Sequence, residues 1–109
     1  MRIKLRTTNF EHTPAIDALA EEKLVAPIEK RLSHVDATND ILLDIEFELT
    51  TRHHQKGEIW RAEAQLGLPH LAQELRAEAT GESLREAVDI VKETLLREIT
   101  RHQERERNE

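Results

Sequence analysis

The chain has 109 residues, enough for one domain, and its 38% apolar and 35% charged residues suit a folded soluble protein rather than a disordered one. Sixteen Lys and Arg against 22 Asp and Glu leave a net charge of −6, and there is no cysteine, which excludes disulfides, thiolate metal sites and cysteine nucleophiles and fits a reducing cytoplasm. No run of about 18 apolar residues is present to span a membrane, and the start MRIKLRTTNF lacks the apolar stretch of a secretory signal.

Residues 2–8, RIKLRTT, alternate, with Ile3, Leu5 and Thr7 on one side and Arg2, Lys4, Arg6 and Thr8 on the other; this predicts a half-buried strand. Thr13-Pro14 predicts a helix start, Thr13 as cap and Pro14 at the first helical position, where its missing N–H costs nothing. Ile16, Leu19, Ala20, Leu24, Ile28 and Leu32 recur at helical spacing and carry the helix to about residue 32. Pro27 should kink or split it near Val25. Residues 35–39 form a connection.

Residues 40–50 alternate again, with Ile41, Leu43, Ile45, Phe47 and Leu49 on one face. Residues 51–57 are a polar loop. Residues 58–66 place Trp60, Ala62, Ala64 and Leu66 on one side, Gly67 to Gln73 turns the chain, and residues 74–79 place Leu75, Ala77 and Ala79 inward. Three such segments in succession predict an antiparallel meander. From about residue 80 the period becomes helical. Thr80 or Gly81 is expected to open the helix, with Glu82 favourable near its positive end. Leu84, Val88, Val91, Leu95 and Ile99 make its apolar face, out to about residue 104, and residues 105–109 form a polar tail expected to fray. The fold class is α+β, in the order β-α-β-β-β-α: one four-stranded sheet with both helices on one face and the other face toward water.

Few residues suggest chemistry. His53 and His54 are adjacent and His12, His34, His70 and His102 are scattered, without the spacing of a metal motif; they are expected to be solvated, and no metal or cofactor is expected. Asp44, Glu46 and Glu48 share the outer face of one strand, but an acid and base pair needs a cleft that separates the two pKa values, and an open sheet offers none. No nucleophile elbow or phosphate loop is present, and three glycines are too few for a dinucleotide fold. With one Trp, two Phe and no Tyr, base stacking as in single-strand RNA binders is not expected.

The last helix offers more. Arg97, Arg101 and Arg105 recur every four residues, flanked by Lys92 and Arg85, and Lys23 and Lys30 lie seven residues apart on the first helix. Side by side on the sheet, the two helices would form one basic surface, while Lys4 and Arg6 face the opposite side. Cations so spaced suit the phosphate backbone of a structured RNA read by shape. An ordinary solvated helix face laced with Glu93, Glu98, Glu104 and Glu106 accounts for the same stripe.

The stretch AEATGESLREAVDIVKETLLREITRHQER resembles the final strand and helix of the ribosome hibernation-promoting factors, also called ribosome-associated inhibitors or sigma-54 modulation proteins. Their A-[AV]-[IV]-D element appears as Glu86-Ala87-Val88-Asp89, and their basic R-x-[LI]-x-[KR]-[HY] run as Arg97-Glu98-Ile99-Thr100-Arg101-His102. The first helix, TPAIDALAEEKLVAPIEKRL, is similar to the family helix with its E-K-L and L-E-K-[YF]-[LF] signature. The resemblance implies a fold similar to double-stranded-RNA-binding domains. It also implies docking in the decoding region of the small ribosomal subunit, where the protein blocks mRNA and tRNA sites and silences translation.

Carried over, the family's basic positions fall on Arg97, Arg101 and Arg105, with Lys23 and Lys30; with Lys92 these make up the candidate RNA-binding set. Three departures stand out: Thr94 and Gln103 replace usual lysines, Leu84 replaces the aromatic after the cap, and the charge is more acidic than usual. Residues 1–104 are expected to form a single ribosome-binding domain. The chain ends just after the last helix, so the C-terminal domain with which long members pair ribosomes is expected to be missing. The expectation is a cytoplasmic protein that is not an enzyme, monomeric when free, with no membrane partner and no small-molecule substrate. The alternative is an acidic protein-interaction module without RNA binding, meeting its partner through the open sheet face or the helices and motivated by the outer-face carboxylates Asp44, Glu46, Glu48, Glu63 and Glu78.

Overall fold

A computed structural model describes residues 1–33, 40–50, 59–68 and 73–107. The chain runs β1 (Arg2–Thr8), α1 (Pro14–Ala20), a π-helical turn (Glu21–Val25), α2 (Ala26–Arg31), β2 (Leu42–Leu49), β3 (Trp60–Gly67), β4 (Leu75–Gly81) and α3 (Leu84–Arg107). Each expected element is present, and α3 runs on through Arg107, into residues expected to belong to a frayed tail. The expected connections at 35–39 and 51–57 and residues 69–72 of the expected turn lie outside the described residues.

The strands form one sheet in the order β1-β2-β3-β4. β1 is parallel to β2, with Lys4 opposite Asp44 and Arg6 opposite Glu46. β2, β3 and β4 form the antiparallel meander. Parallel neighbours need a crossover, and α1, the π turn and α2 supply it.

The first helical layer shows how the sequence sets its winding. Ala20, Leu24, Ile28 and Leu32 recur strictly every four residues. At about 100° per residue, that spacing walks around a regular α-helix by about 40° at each step. The wider π turn takes up this drift, and all four residues are buried. Within the turn the Ala26 N–H reaches back five residues to the Glu21 carbonyl. Pro27 follows at once; it has no N–H to give and its ring would press on a regular turn. The expected split near Val25 thus takes the form of a widened turn. Thr13 occupies the cap position ahead of Pro14, but its side chain makes no capping hydrogen bond. His12 lies 2.6 Å from Asp17 instead.

One core lies between the helices and one face of the sheet. Leu43, Ile45 and Phe47 of β2, Ala62, Ala64 and Leu66 of β3, and Ala77 of β4 are buried with Leu24 and Ile28 and with Leu84, Val88, Val91, Leu95 and Ile99 of α3. α3 rests on β3 and β4, where the small side chains of Ala62, Ala64 and Ala77 allow a helix to sit low. Ile3 faces the helix side, as its alternation predicts, but sits on the uncovered edge strand and stays 43% exposed.

The start of α3 differs from the sequence expectation. β4 runs on through Gly81, and the cap is Ser83, whose Oγ accepts from the Glu86 N–H at 3.1 Å. The Glu86 carboxylate in turn accepts from the Glu82 N–H at 3.3 Å, a variant of the capping box. Gly81 is needed for the close approach: a Cβ there would lie 2.9 Å from the Ala87 nitrogen. Ser83→Ala should lower stability by about 1 kcal/mol in chemical denaturation, and an unchanged midpoint would show that the cap contributes nothing.

Candidate nucleic-acid interface

α3 carries its cations on the ridge opposite its buried residues. Each four-residue step advances about 40° around the axis, so Arg97, Arg101 and Arg105 form a slanting stripe. At one end Arg97 borders a groove shared with Arg31 of α2. At the other, Arg105 stands beside Leu75 and Arg76 of β4. All three are exposed, and Arg101 holds the Glu98 carboxylate at 3.1 Å.

The lysines are placed differently. Lys23, in the π turn, reaches across to Asp89 of α3 at 3.2 Å, and Lys92 lies 3.7 Å from Glu93. Both are half-buried. Lys30 is exposed on α2 and forms no ion pair among the described residues. The six candidate residues therefore fall into two groups: the ridge stripe, and the seam between the helical layers. Lys23 and Lys92 already hold carboxylates in that seam.

Sequence reasoning missed Arg31, which the fold brings into the same seam. Its guanidinium donates to Thr100 Oγ1, 69 residues away in the chain. Thr100 Oγ1 donates onward to the Leu96 carbonyl at 3.1 Å. Lys30, Arg31 and Leu96 line one groove with Pro27 and Ser33, and Arg31 and Leu96 continue into the next with Arg97 and Thr100.

The open face of the sheet is not acidic, contrary to the reading that would make it an acidic docking surface. Register places Arg2, Lys4, Arg6, Arg61 and Arg76 on it with Asp44, Glu46, Glu48, Glu63 and Glu78, so the charges balance. Arg61 is the hub. It bonds Glu63 at 2.6 Å and Glu78 at 3.0 Å, and reaches Glu46 at 3.3 Å and Glu48 at 3.4 Å. Arg76 joins Glu63 and reaches Glu78 at 2.7 Å. The hydrogen bond that Arg61 donates to Glu78 pushes the Arg61 pKa upward, and the same bond holds the Glu78 carboxyl below its ordinary 4.5.

Among the described residues the Phe and Trp rings are engaged within the protein. Phe47 is buried, and Phe10 meets Trp60 edge to face with ring centroids 5.2 Å apart. Among the described residues no three His, Asp or Glu gather as a metal site; His34, His53, His54 and His70 lie outside them. No described helix is long and apolar enough to cross a membrane.

Residues 3–107 match the sequence profile of the sigma 54 modulation protein / S30EA ribosomal protein family. The chain belongs to this family. These are ribosome-associated hibernation proteins, and the match takes in every strand and helix described above save Arg2 at the start of β1. The crystal structure of the Protein Y N-terminal domain from Thermus thermophilus is similar, with a TM-score of 0.69 and 25% identity over 94% of this chain and 99% of that one. A ribosomal subunit interface protein from Coxiella burnetii shares the fold at a TM-score of 0.63 and 19% identity, over 94% and 98% of the two chains. No curated protein matches the chain by sequence.

Proposed function

We propose that this S30EA-family protein acts in the cytoplasm by binding the small ribosomal subunit near the decoding region and holding the ribosome out of translation. The family match over residues 3–107 carries this reading. The candidate contacts are Lys30, Arg97, Arg101 and Arg105 toward phosphates, with Lys23 and Lys92 as weaker contributors because each already faces a carboxylate. The protein works by occupancy, not catalysis.

The electrostatics fit a contact of limited area. With the sheet face balanced, attraction to a polyanion depends on the helix side, where Glu93, Glu98, Glu104 and Glu106 interrupt the cations. Screening over about 8 Å at physiological salt lets neighbouring patches act separately. With Phe47 buried and Phe10 packed on Trp60, recognition rests on backbone shape rather than stacking. The alternative acidic docking face loses its motive once Arg61 and Arg76 neutralise the carboxylates on which it relied.

Co-sedimentation of the protein with isolated subunits and intact ribosomes, at low and moderate salt, tests the proposal. It should pellet with the small subunit and less so as salt rises. Failure to pellet at any salt would reject the reading and direct attention to a protein partner.

A further inference from the structure

Lys30 and Arg97 line two adjoining grooves between α2 and α3 that share Arg31 and Leu96, and none of the three cations forms an ion pair among the described residues. Three other helix cations do: Lys23 pairs with Asp89, Lys92 lies near Glu93 and Arg101 pairs with Glu98. The one carboxylate at these grooves, Glu93, is the one that Lys92 approaches at 3.7 Å. With three cations against that single, already shared carboxylate, the seam keeps an excess of positive charge, and an arriving anion relieves the repulsion within it.

Arg31 is also oriented. Its anchor is the neutral hydroxyl of Thr100, whose own proton is committed to the Leu96 carbonyl. A hydroxyl fixes the guanidinium without cancelling its charge, and a guanidinium has five N–H donors in a planar fork. One is spent on Thr100. The rest remain for a tetrahedral oxyanion, which a fork can grip with two bonds where a lysine offers a point charge. Arg31 also stands where the L-E-K-[YF]-[LF] pattern has an aromatic, so this cation belongs to the present chain and not to the pattern.

We propose that Lys30, Arg31 and Arg97 form a phosphate clamp between the two helical layers, with Arg31 gripping the phosphate and Thr100 acting as its positioning residue. The phosphate is a backbone phosphodiester of structured RNA. This deepens the ribosomal reading and rests on it for the source of the phosphate. The clamp fixes where along the helix seam the backbone sits, whereas the Arg97–Arg105 stripe supplies less directional attraction.

The test follows the arginine side-chain N–H resonances of the full-length protein by NMR during titration with inorganic pyrophosphate and, separately, with a short RNA duplex. Subunit co-sedimentation is run in parallel. Arg31 and Arg97 signals should move with both ligands. Arg31→Gln should weaken duplex and subunit binding roughly tenfold and flatten the salt dependence by about one phosphate contact. Thr100→Val leaves the net charge unchanged, so it should weaken binding several-fold with the salt slope intact, a result that a bulk-charge role for Arg31 would not give. Thr100→Val binding like wild type would overturn the positioning role, and Arg31→Gln binding both ligands like wild type would overturn the clamp. Pyrophosphate binding without duplex binding would keep a phosphate clamp but reject RNA as its source. Arg31 responding to phosphate in a protein that never pellets with subunits would retain the clamp and reject the ribosomal reading.

Discussion

Replacing Arg97, Arg101 and Arg105 together by Glu should reduce small-subunit binding by more than about a hundredfold while the protein stays folded. All three side chains are exposed on α3. Among the described residues only Arg101 loses an ion pair, the i,i+3 contact with Glu98, and such surface pairs contribute less than about 1 kcal/mol. The fold cost is therefore small. The binding cost is large because each reversal removes a cation and adds an anion against a phosphate backbone. In wild type, the logarithm of affinity should fall against the logarithm of salt more steeply than in the variant, by about one unit per lost contact. Lys23→Gln and Lys92→Gln are the controls. Those lysines hold Asp89 and Glu93, so their loss should change binding much less. Subunit binding by the triple variant at wild-type strength, with an unchanged melting curve, would remove α3 from the interface.

Arg61→Met should be the most damaging change on the open sheet face, costing about 2 kcal/mol of stability. The side chain is only 18% exposed, and Glu63 beside it 12%, so water screens this central pair poorly, though Glu78 and Arg76 at the rim are open to it. Without Arg61 the carboxylates of Glu46, Glu48, Glu63 and Glu78 face one another, with Arg76 paired to Glu63 and Glu78 and Arg6 opposite Glu46 as the nearest cations on the face. Arg61→Lys should recover only part of the loss, because an ammonium cannot reproduce the fork that engages Glu63 and Glu78 together. The effect depends on pH in a defined direction. The Arg61 bond depresses the Glu78 pKa from its ordinary 4.5. The stability from this ionised carboxylate is therefore present in full above that value and disappears as pH falls through the lower folded-state value. The gap between wild type and Arg61→Met should accordingly be wide at neutral pH and narrow in acid. Urea titrations at pH 7 and at acid pH check this, and a gap that widens in acid would contradict the network's role.

Strand alternation, helical spacing and the change of period near residue 80 made the element order legible in the sequence. The exceptions have physical causes. The capping box at the start of α3 was written in the sequence as Ser83-Leu84-Arg85-Glu86, but Thr80 and Gly81 competed for the role, and β4 claims them because its pairing with β3 continues to Gly81. The outer face looked acidic because its carboxylates were read along single strands. Charge on a sheet is set across strands, and cross-strand register puts Arg61 opposite Glu48 and Arg76 opposite Gln65, each within reach of Glu63 and Glu78. Arg31 carried no local signal. Its meaning lies in Thr100, and only the packing of the two helical layers joins residues so distant in the chain. The predicted single basic surface needed the same information: spacing places cations on a helix, but only docking tells which of them meet carboxylates.

The π turn gives the seam an unusual dependence on chain length. Surface loops can usually gain or lose a residue without consequence for distant side chains. Within Glu21–Val25, however, the surplus residue works like an added tooth on a gear. Removing it would rewind the layer to a regular helix and swing everything beyond it by about 100°. Leu24 could stay buried, but Lys30 and Arg31 would leave the groove together and Arg31 would lose sight of Thr100. The position of the phosphate-facing charges is thus set by a count of residues as well as by their identity, and a variant of this chain could lose the clamp through a one-codon deletion that removes none of its residues.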